Sequence, residues 1–137
     1  MSLKGKCCVV GVCGGIAAYK VVDVVSRLKK LDAEVDVIMT ASAQEFVTAL
    51  TFRSITHRPV ITDMFGEPEE WDVRHISLAQ KADLFLIAPA TANIIGKLAS
   101  GIADDMLSTT VMATKAPVLI VPAMNYNMYA NPIVQQN

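Results

Sequence analysis

The chain has 137 residues, the size of one domain. Its net charge of −1 makes no electrostatic case for nucleic acid or an anionic membrane, and no run of about 18 uncharged apolar residues is present to span a bilayer. Apolar residues make up 53% and mean hydropathy is +0.41, more apolar surface than one small domain hides, which predicts a homo-oligomer.

The opening "MSLKGKCCVVGVCGG" has a short basic stretch and then an apolar one, as a secretion signal does. It runs straight into a strand–glycine–helix pattern, so it is read as structure. Cys7, Cys8 and Cys13 all lie in it; their spacing suits neither a disulfide framework nor a zinc site, and a reducing cytoplasm is the expected location. "KCCVVGVC" (6–13) is a β-branched strand ending in Gly14-Gly15. A helix follows, with Val21, Val24, Val25, Leu28 and Leu31 on one stripe and Lys20, Asp23, Arg27 and Lys30 on the other. "EVDVIMT" (34–40) is the second strand. "ASAQEFVTAL" (41–50) reads as a helix capped by Thr40 or Ser42, with Glu45 completing a capping box from Ser42. "RPVITDMF" (58–65) is a short strand that breaks into the acidic loop "GEPEEWDV". "HISLAQKA" (75–82) is a short helix, and "DLFLIAPA" (83–90) a strand apolar on both faces. Residues 91–114 are helical with an interruption at Gly101, and "APVLIVPA" (116–123) is a last, buried strand.

Alternation of this kind predicts a doubly wound parallel α/β sheet, whose ligands bind beyond the carboxyl ends of the strands. Four segments fall there: "CGGIA" (13–17), "MTASA" (39–43), "APATAN" (88–93) and "PAMN" (122–125). All are small residues, hydroxyls and amides. Gly14-Gly15 lets backbone approach a ligand at a helix N-terminus, which favours a phosphate; a plain tight turn is the other reading. No G-x-G-x-x-G is present and no acid ends the second strand, so ordinary dinucleotide binding is disfavoured. Thr40 and Ser42 stand there instead and suit a monophosphate, or a helix cap. Asn93 can cap the helix after Pro89, and the small residues around it leave room for a flat ring. Met124 and Met128 offer such a ring a soft surface, or serve as core. His57 reads as a surface or structural residue. His75 opens a helix, whose N-terminus holds an imidazole neutral and able to take a proton. Asp104-Asp105 reads as a helix opening, and no metal cluster can be assembled.

The combination of "GGIAAYK", "MTASAQEF", His75-Ile-x-Leu, "APATANIIGKLA" and "PAMNYNM" resembles the homo-oligomeric flavin-containing cysteine decarboxylases across practically the whole chain. Within them it is most similar to the domain that decarboxylates phosphopantothenoylcysteine in coenzyme A biosynthesis. The resemblance implies a flavodoxin-like, Rossmann-like three-layer α/β/α fold, FMN, and trimers or dodecamers with FMN near subunit contacts. It implies that Gly14, Gly15 and Ile16 line FMN, and that Thr40 and Ser42 take its phosphate side. Thr91, Ala92, Asn93, Ala123 and Met124 would hold the rest. His75 and Asn125 match the family's histidine and the asparagine that handles the substrate carboxylate.

The implied chemistry explains the flavin. Losing carbon dioxide from an ordinary C-terminal cysteine leaves an unstabilised carbanion, whereas prior oxidation of CH2–SH to a thioaldehyde places the carboxylate β to a C=S sink. The sequence departs from the family in Tyr129, where a tryptophan is common, and in having no cysteine after Cys13 for the late flap that completes the reduction. A single flavin domain lacking that flap is therefore expected. The rivals are a decarboxylase of peptide C-terminal cysteines, a non-catalytic flavin electron carrier and a nucleotide-binding regulator. The carrier is weakened by the lack of an acidic face, and the regulator by the missing strand-two acid.

Overall fold

A computed structural model describes residues 1–62 and 76–137. Four parallel strands form one sheet in the order β2-β1-β3-β4: β1 Cys7–Val12, β2 Glu34–Met39, β3 Leu84–Ala90 and β4 Val118–Pro122. The expected flavodoxin-like α/β architecture is what the chain adopts. β1 is fully buried and central because its side chains are apolar on both faces. Strand order reverses between β1 and β3, so a ligand crevice belongs at their carboxyl ends.

Each face of the sheet carries its own core. Val10, Val12, Val35, Val37 and Met39 pack under α1 (Ala18–Lys30) and α2 (Ala49–Thr56). Val9, Ile38, Phe85 and Ile87 pack on the other face under α3, α4 (Ala92–Ser100) and α5 (Met106–Ala113); the described part of α3 is 76–81. Gly11 makes room for Leu107 on this second face. A Cβ there would lie 2.4 Å from Leu107 Cδ1, so glycine lets α5 rest on β1. In α1 the buried stripe is Ala18, Val21 and Val25, and Arg27, Lys29 and Lys30 in its last turn suit the negative end of the helix dipole.

Asp36 is the one buried charged residue of β2, 8% exposed. It pairs with Lys81 of α3 (2.5 Å) and with Arg58 (3.4 Å), and so ties α3 and the chain after α2 to the sheet. Gly101 takes the left-handed conformation (φ 70) that ends α4, which is the interruption expected there. Short helices α6 (Tyr126–Tyr129) and α7 (Pro132–Gln136) follow β4.

Three expectations are corrected. The helix expected over 41–50 is instead a 3-10 turn, Ser42–Glu45, followed by α2. Thr40, not a Ser42–Glu45 box, holds the turn: its Oγ1 accepts from Ala43 N–H at 3.1 Å. The strand expected over 58–65 reduces, among the described residues, to one bridge between Ile61 and Ile38, because Pro59 has no amide hydrogen to extend the ladder. β4 is not buried. Its only described strand partner is β3, and Leu119 stays 51% exposed.

Candidate functional site

One cavity of about 1070 Å³ runs along the carboxyl edge of the sheet. That is slightly more than the roughly 300–1,000 Å³ usual for small-molecule sites, enough for a cofactor and a substrate together. Every strand contributes the residues that follow it. They are Cys13 to Ala17 after β1, Thr40 to Ser42 after β2, Thr91 to Ile94 after β3 and Ala123 to Asn125 after β4. Thr62, beyond the Ile61 bridge, closes the β2 side.

The wall between β1 and β2 is built by a close approach. A Cβ on Gly14 would lie 2.3 Å from Ser42 Cβ and 2.9 Å from its carbonyl carbon, so only glycine lets the two turns touch. Beside them α1 begins without any side-chain cap and without an acid in its first turn. Thirteen aligned peptide units thus turn a positive end toward the cleft, although Ala18 and Lys20 N–H already donate to the Gly15 and Ala17 carbonyls. Thr40 engages its oxygen in the turn but keeps a hydroxyl hydrogen to donate.

The opposite end is set by caps. Thr91 Oγ1 accepts from Ile94 N–H at 3.3 Å, so Thr91 caps α4, and Asn93, for which the sequence also allowed a capping role, is left exposed on the cleft. Asn125 caps α6, with Oδ1 accepting from Asn127 N–H at 2.8 Å. A backbone amide can only donate, so the oxygen must face Asn127 and Nδ2 is left as the free, donating end. Met124 and Met128 line the same end.

Thus the structure brings Gly14, Gly15, Ile16, Thr40, Ser42, Thr91, Ala92, Asn93, Ala123, Met124 and Asn125 into one cleft. His75 lies outside the described residues. His57 is exposed at the C-terminal end of α2 and is not among the residues that line the cleft, in keeping with its reading as a surface or structural residue. Among the described residues no cluster could hold a metal ion. Asp105 opens α5 through a capping box with Ser108, as the sequence suggests for that pair, but both aspartates also reach the cleft.

Lys97, which the sequence pattern does not single out, lines the cleft too, 2.8 Å from Asp104 and 3.9 Å from Asp105. Its helical spacing of four from Asn93 was the available signal. The hydrogen bond to Asp104 raises the Lys97 pKa, and the same bond lowers that of Asp104. Cys13 is buried in the wall, and that burial pushes its thiol up to about 12. It is an inert, protonated surface near neutral pH.

Fold and cleft together define an α/β protein with a ligand cleft at the switch point of a parallel sheet, lined mainly by small residues, hydroxyls and amides. A model of the flavoprotein family matches residues 1–137, and the chain belongs to that family. The chain is 48% identical over 136 residues to the coenzyme A biosynthesis bifunctional protein CoaBC of Vibrio vulnificus (strain YJ016), covering 99% of this chain and 34% of that one. It therefore spans about a third of the length of such relatives. Among solved structures it resembles the FMN-dependent cysteine decarboxylase SpaF, at 34% identity and a TM-score of 0.89 over 98% of this chain and 78% of that one. It also resembles a PPC decarboxylase variant complexed with pantothenoylaminoethenethiol, at 28% identity and a TM-score of 0.79 over 96% of this chain and 74% of that one.

Proposed function

We propose that this chain binds FMN and decarboxylates the cysteine moiety of 4'-phosphopantothenoylcysteine, giving 4'-phosphopantetheine in coenzyme A biosynthesis. The observation that carries the reading is the pairing of two donor ends in one cleft. The N-terminus of α1 with Thr40 and Ser42 stands at one end, and the amide of Asn125, fixed as a donor, stands at the other. Membership in the flavoprotein family and likeness to CoaBC and to a PPC decarboxylase support it.

The residues present fit FMN. The first turn of α1, Gly14, Gly15 and Ile16, and the hydroxyls of Thr40 and Ser42 would hold the phosphate side without a cation. Thr91, Ala92, Asn93, Ala123 and Met124 would hold the remainder. When bound, FMN would supply the two-electron oxidation of the substrate's CH2–SH to a thioaldehyde, whose C=S takes the electron pair left by the departing carbon dioxide, and the reduced flavin would return the same two electrons as hydride to the resulting enethiol, with a proton, to give the saturated thiol. Asn125 Nδ2 donates to the substrate carboxylate and holds it in the orientation from which that bond can break. His75, placed by sequence directly before α3, takes the proton or partners the carboxylate.

Residues 1–137 act in this reading as one flavin-binding unit of a cytoplasmic homo-oligomer, a trimer or a dodecamer. Exposed Ile16, at the cleft, and exposed Tyr19 and Leu50 favour such assembly. Among the described residues no helix is long and apolar enough to cross a membrane. A second reading, decarboxylation of a peptide ending in cysteine by the same site, shares with SpaF the FMN-dependent decarboxylation of a cysteine.

The test is incubation of the protein and FMN with phosphopantothenoylcysteine and, separately, with a cysteine-ending peptide. Mass spectrometry of the products should show loss of carbon dioxide from the first. Loss from the peptide alone would transfer the function to the second reading, and loss from neither would refute both.

A further inference from the structure

The cleft described above is almost free of charge. Among the described residues that line it, Lys97, Asp104 and Asp105 alone are charged, one cation against two anions. They meet because α4 and α5 are joined by a tight reversal. Thr91 starts α4 at the cleft, and Lys97 follows Asn93 by one turn on the same face. Gly101, at φ 70, then turns the chain so that Asp104 and Asp105 come back alongside Lys97. Asp105 has already committed Oδ1 to Ser108 N–H (2.8 Å), and its Oδ2 remains turned to Lys97.

An ion pair in a cleft wall is weak evidence of a stabilising role, since desolvation offsets most of the attraction. Lys97 keeps only 19% of its side chain exposed, so it gives up more hydration than a surface pair would. The charges also act on the wall itself. At the end of β1, the Cys13 thiol is raised chiefly by burial and lowered by the Thr91 backbone; after these it is raised by Asp105 and lowered by Lys97.

We infer that Lys97, held by Asp104 and Asp105, is a positioning residue for charge: it offsets two carboxylates that line the cleft, and so sets the potential at which a flavin bound there would accept electrons. The inference rests on the FMN reading given above. A flavin ring gains negative charge as it takes up electrons, and charge near the ring is one of the protein's means of tuning it. With Lys97 in place the wall carries one net negative charge. Without it the wall carries two, and the electron-rich form of the cofactor is disfavoured. Removing Asp104 instead neutralises the wall and favours that form.

Opposite shifts from two substitutions in one ion pair distinguish this role from a purely structural one, which would loosen cofactor binding without moving its potential. The experiment is to load wild type, Lys97→Met, Lys97→Arg and Asp104→Asn with FMN and to measure dissociation constants and midpoint potentials against reference dyes. Lys97→Met should bind reduced flavin at least tenfold less well relative to oxidised flavin, which is a potential lower by about 30 mV for a two-electron couple. Asp104→Asn should move the potential upward, and Lys97→Arg should stay near wild type. Asp104, which is largely exposed, keeps the test decisive if Lys97→Met does not fold. Potentials of Lys97→Met and Asp104→Asn that both match wild type, or shift in the same direction, overturn the inference while leaving FMN binding intact. A wild-type protein that takes up no FMN overturns the reading beneath it.

Discussion

Gly14→Ala isolates the contact on which the phosphate end of the cleft depends. The added Cβ would lie 2.3 Å from Ser42 Cβ and 2.9 Å from its carbonyl carbon, where carbon atoms rest at about 3.5–4.0 Å. The Ser42 side chain cannot relieve this by rotating, because its backbone is also too close. The β1–α1 turn and the 3-10 turn must therefore separate by more than about an ångström, at the roughly 1–3 kcal/mol typical of overpacking. For a chain of this size each kcal/mol lowers Tm by about 4 °C. Gly15→Ala is the control, since its nearest neighbour is Pro89 Cγ at 3.9 Å, an ordinary contact. Thermal unfolding without FMN should therefore show a clear drop for Gly14→Ala and almost none for Gly15→Ala. Titration with FMN should then show weakened binding in Gly14→Ala even where it remains folded. Equal Tm values for Gly14→Ala and wild type would refute the close approach as the reason for that glycine.

Asn125→Asp keeps a good acceptor for Asn127 N–H but replaces the donating amide by a carboxylate, so Tm should hold while decarboxylation falls by about a hundredfold or more, as read from product formation. His75→Asn should keep FMN and assembly and lose more than about a hundredfold in turnover; near-normal product would remove His75 from the mechanism. Asp36→Ala should lower stability by only about 1–2 kcal/mol in urea unfolding, because Lys81 and Arg58, each about a third exposed, can turn to water; a loss several times larger would show that the pairs are effectively buried. Cys8 and Cys13 hold their protons to about 11 and about 12 against an ordinary 9.0, so above pH 9.0 the unfolded chain loses protons that the folded chain keeps. Stability should consequently fall as pH rises from 9.0 toward 11, by about 1.4 kcal/mol for every pH unit over which a thiol is charged in the unfolded chain alone, and unfolding curves that do not move across that window would contradict the burial of these groups.

The sheet was legible because parallel strands buried on both faces are written as unbroken apolar runs: "CCVVGV" and "LFLIAPA" could hardly be anything else. The rim segments were legible for a related reason, since each is where such a run ends in small residues and hydroxyls. What the pattern could not carry was the contribution of distant partners. "APVLIV" is as apolar as β1, yet β4 is exposed, because burial belongs to the neighbours on either side of a strand and not to its own residues. "ASAQEFVTAL" has helix-forming residues throughout, but the fit of Ser42 against Gly14 and the Thr40 bond to Ala43 tighten it into a 3-10 turn. Lys97 escaped notice because a lysine on a helix is usually solvated. Only the reversal at Gly101 brings two aspartates back to it at the cleft wall.

The central claim is that this cleft uses FMN to release carbon dioxide from a cysteinyl carboxylate. Its most direct test is phosphopantothenoylcysteine labelled with carbon isotope at that carboxylate, given to the protein with FMN and to the same protein stripped of it, with the released gas trapped and counted. The account predicts labelled carbon dioxide from the FMN-loaded protein alone. Release that does not need the flavin, or a protein that binds FMN and the substrate yet leaves the label in place, would contradict it.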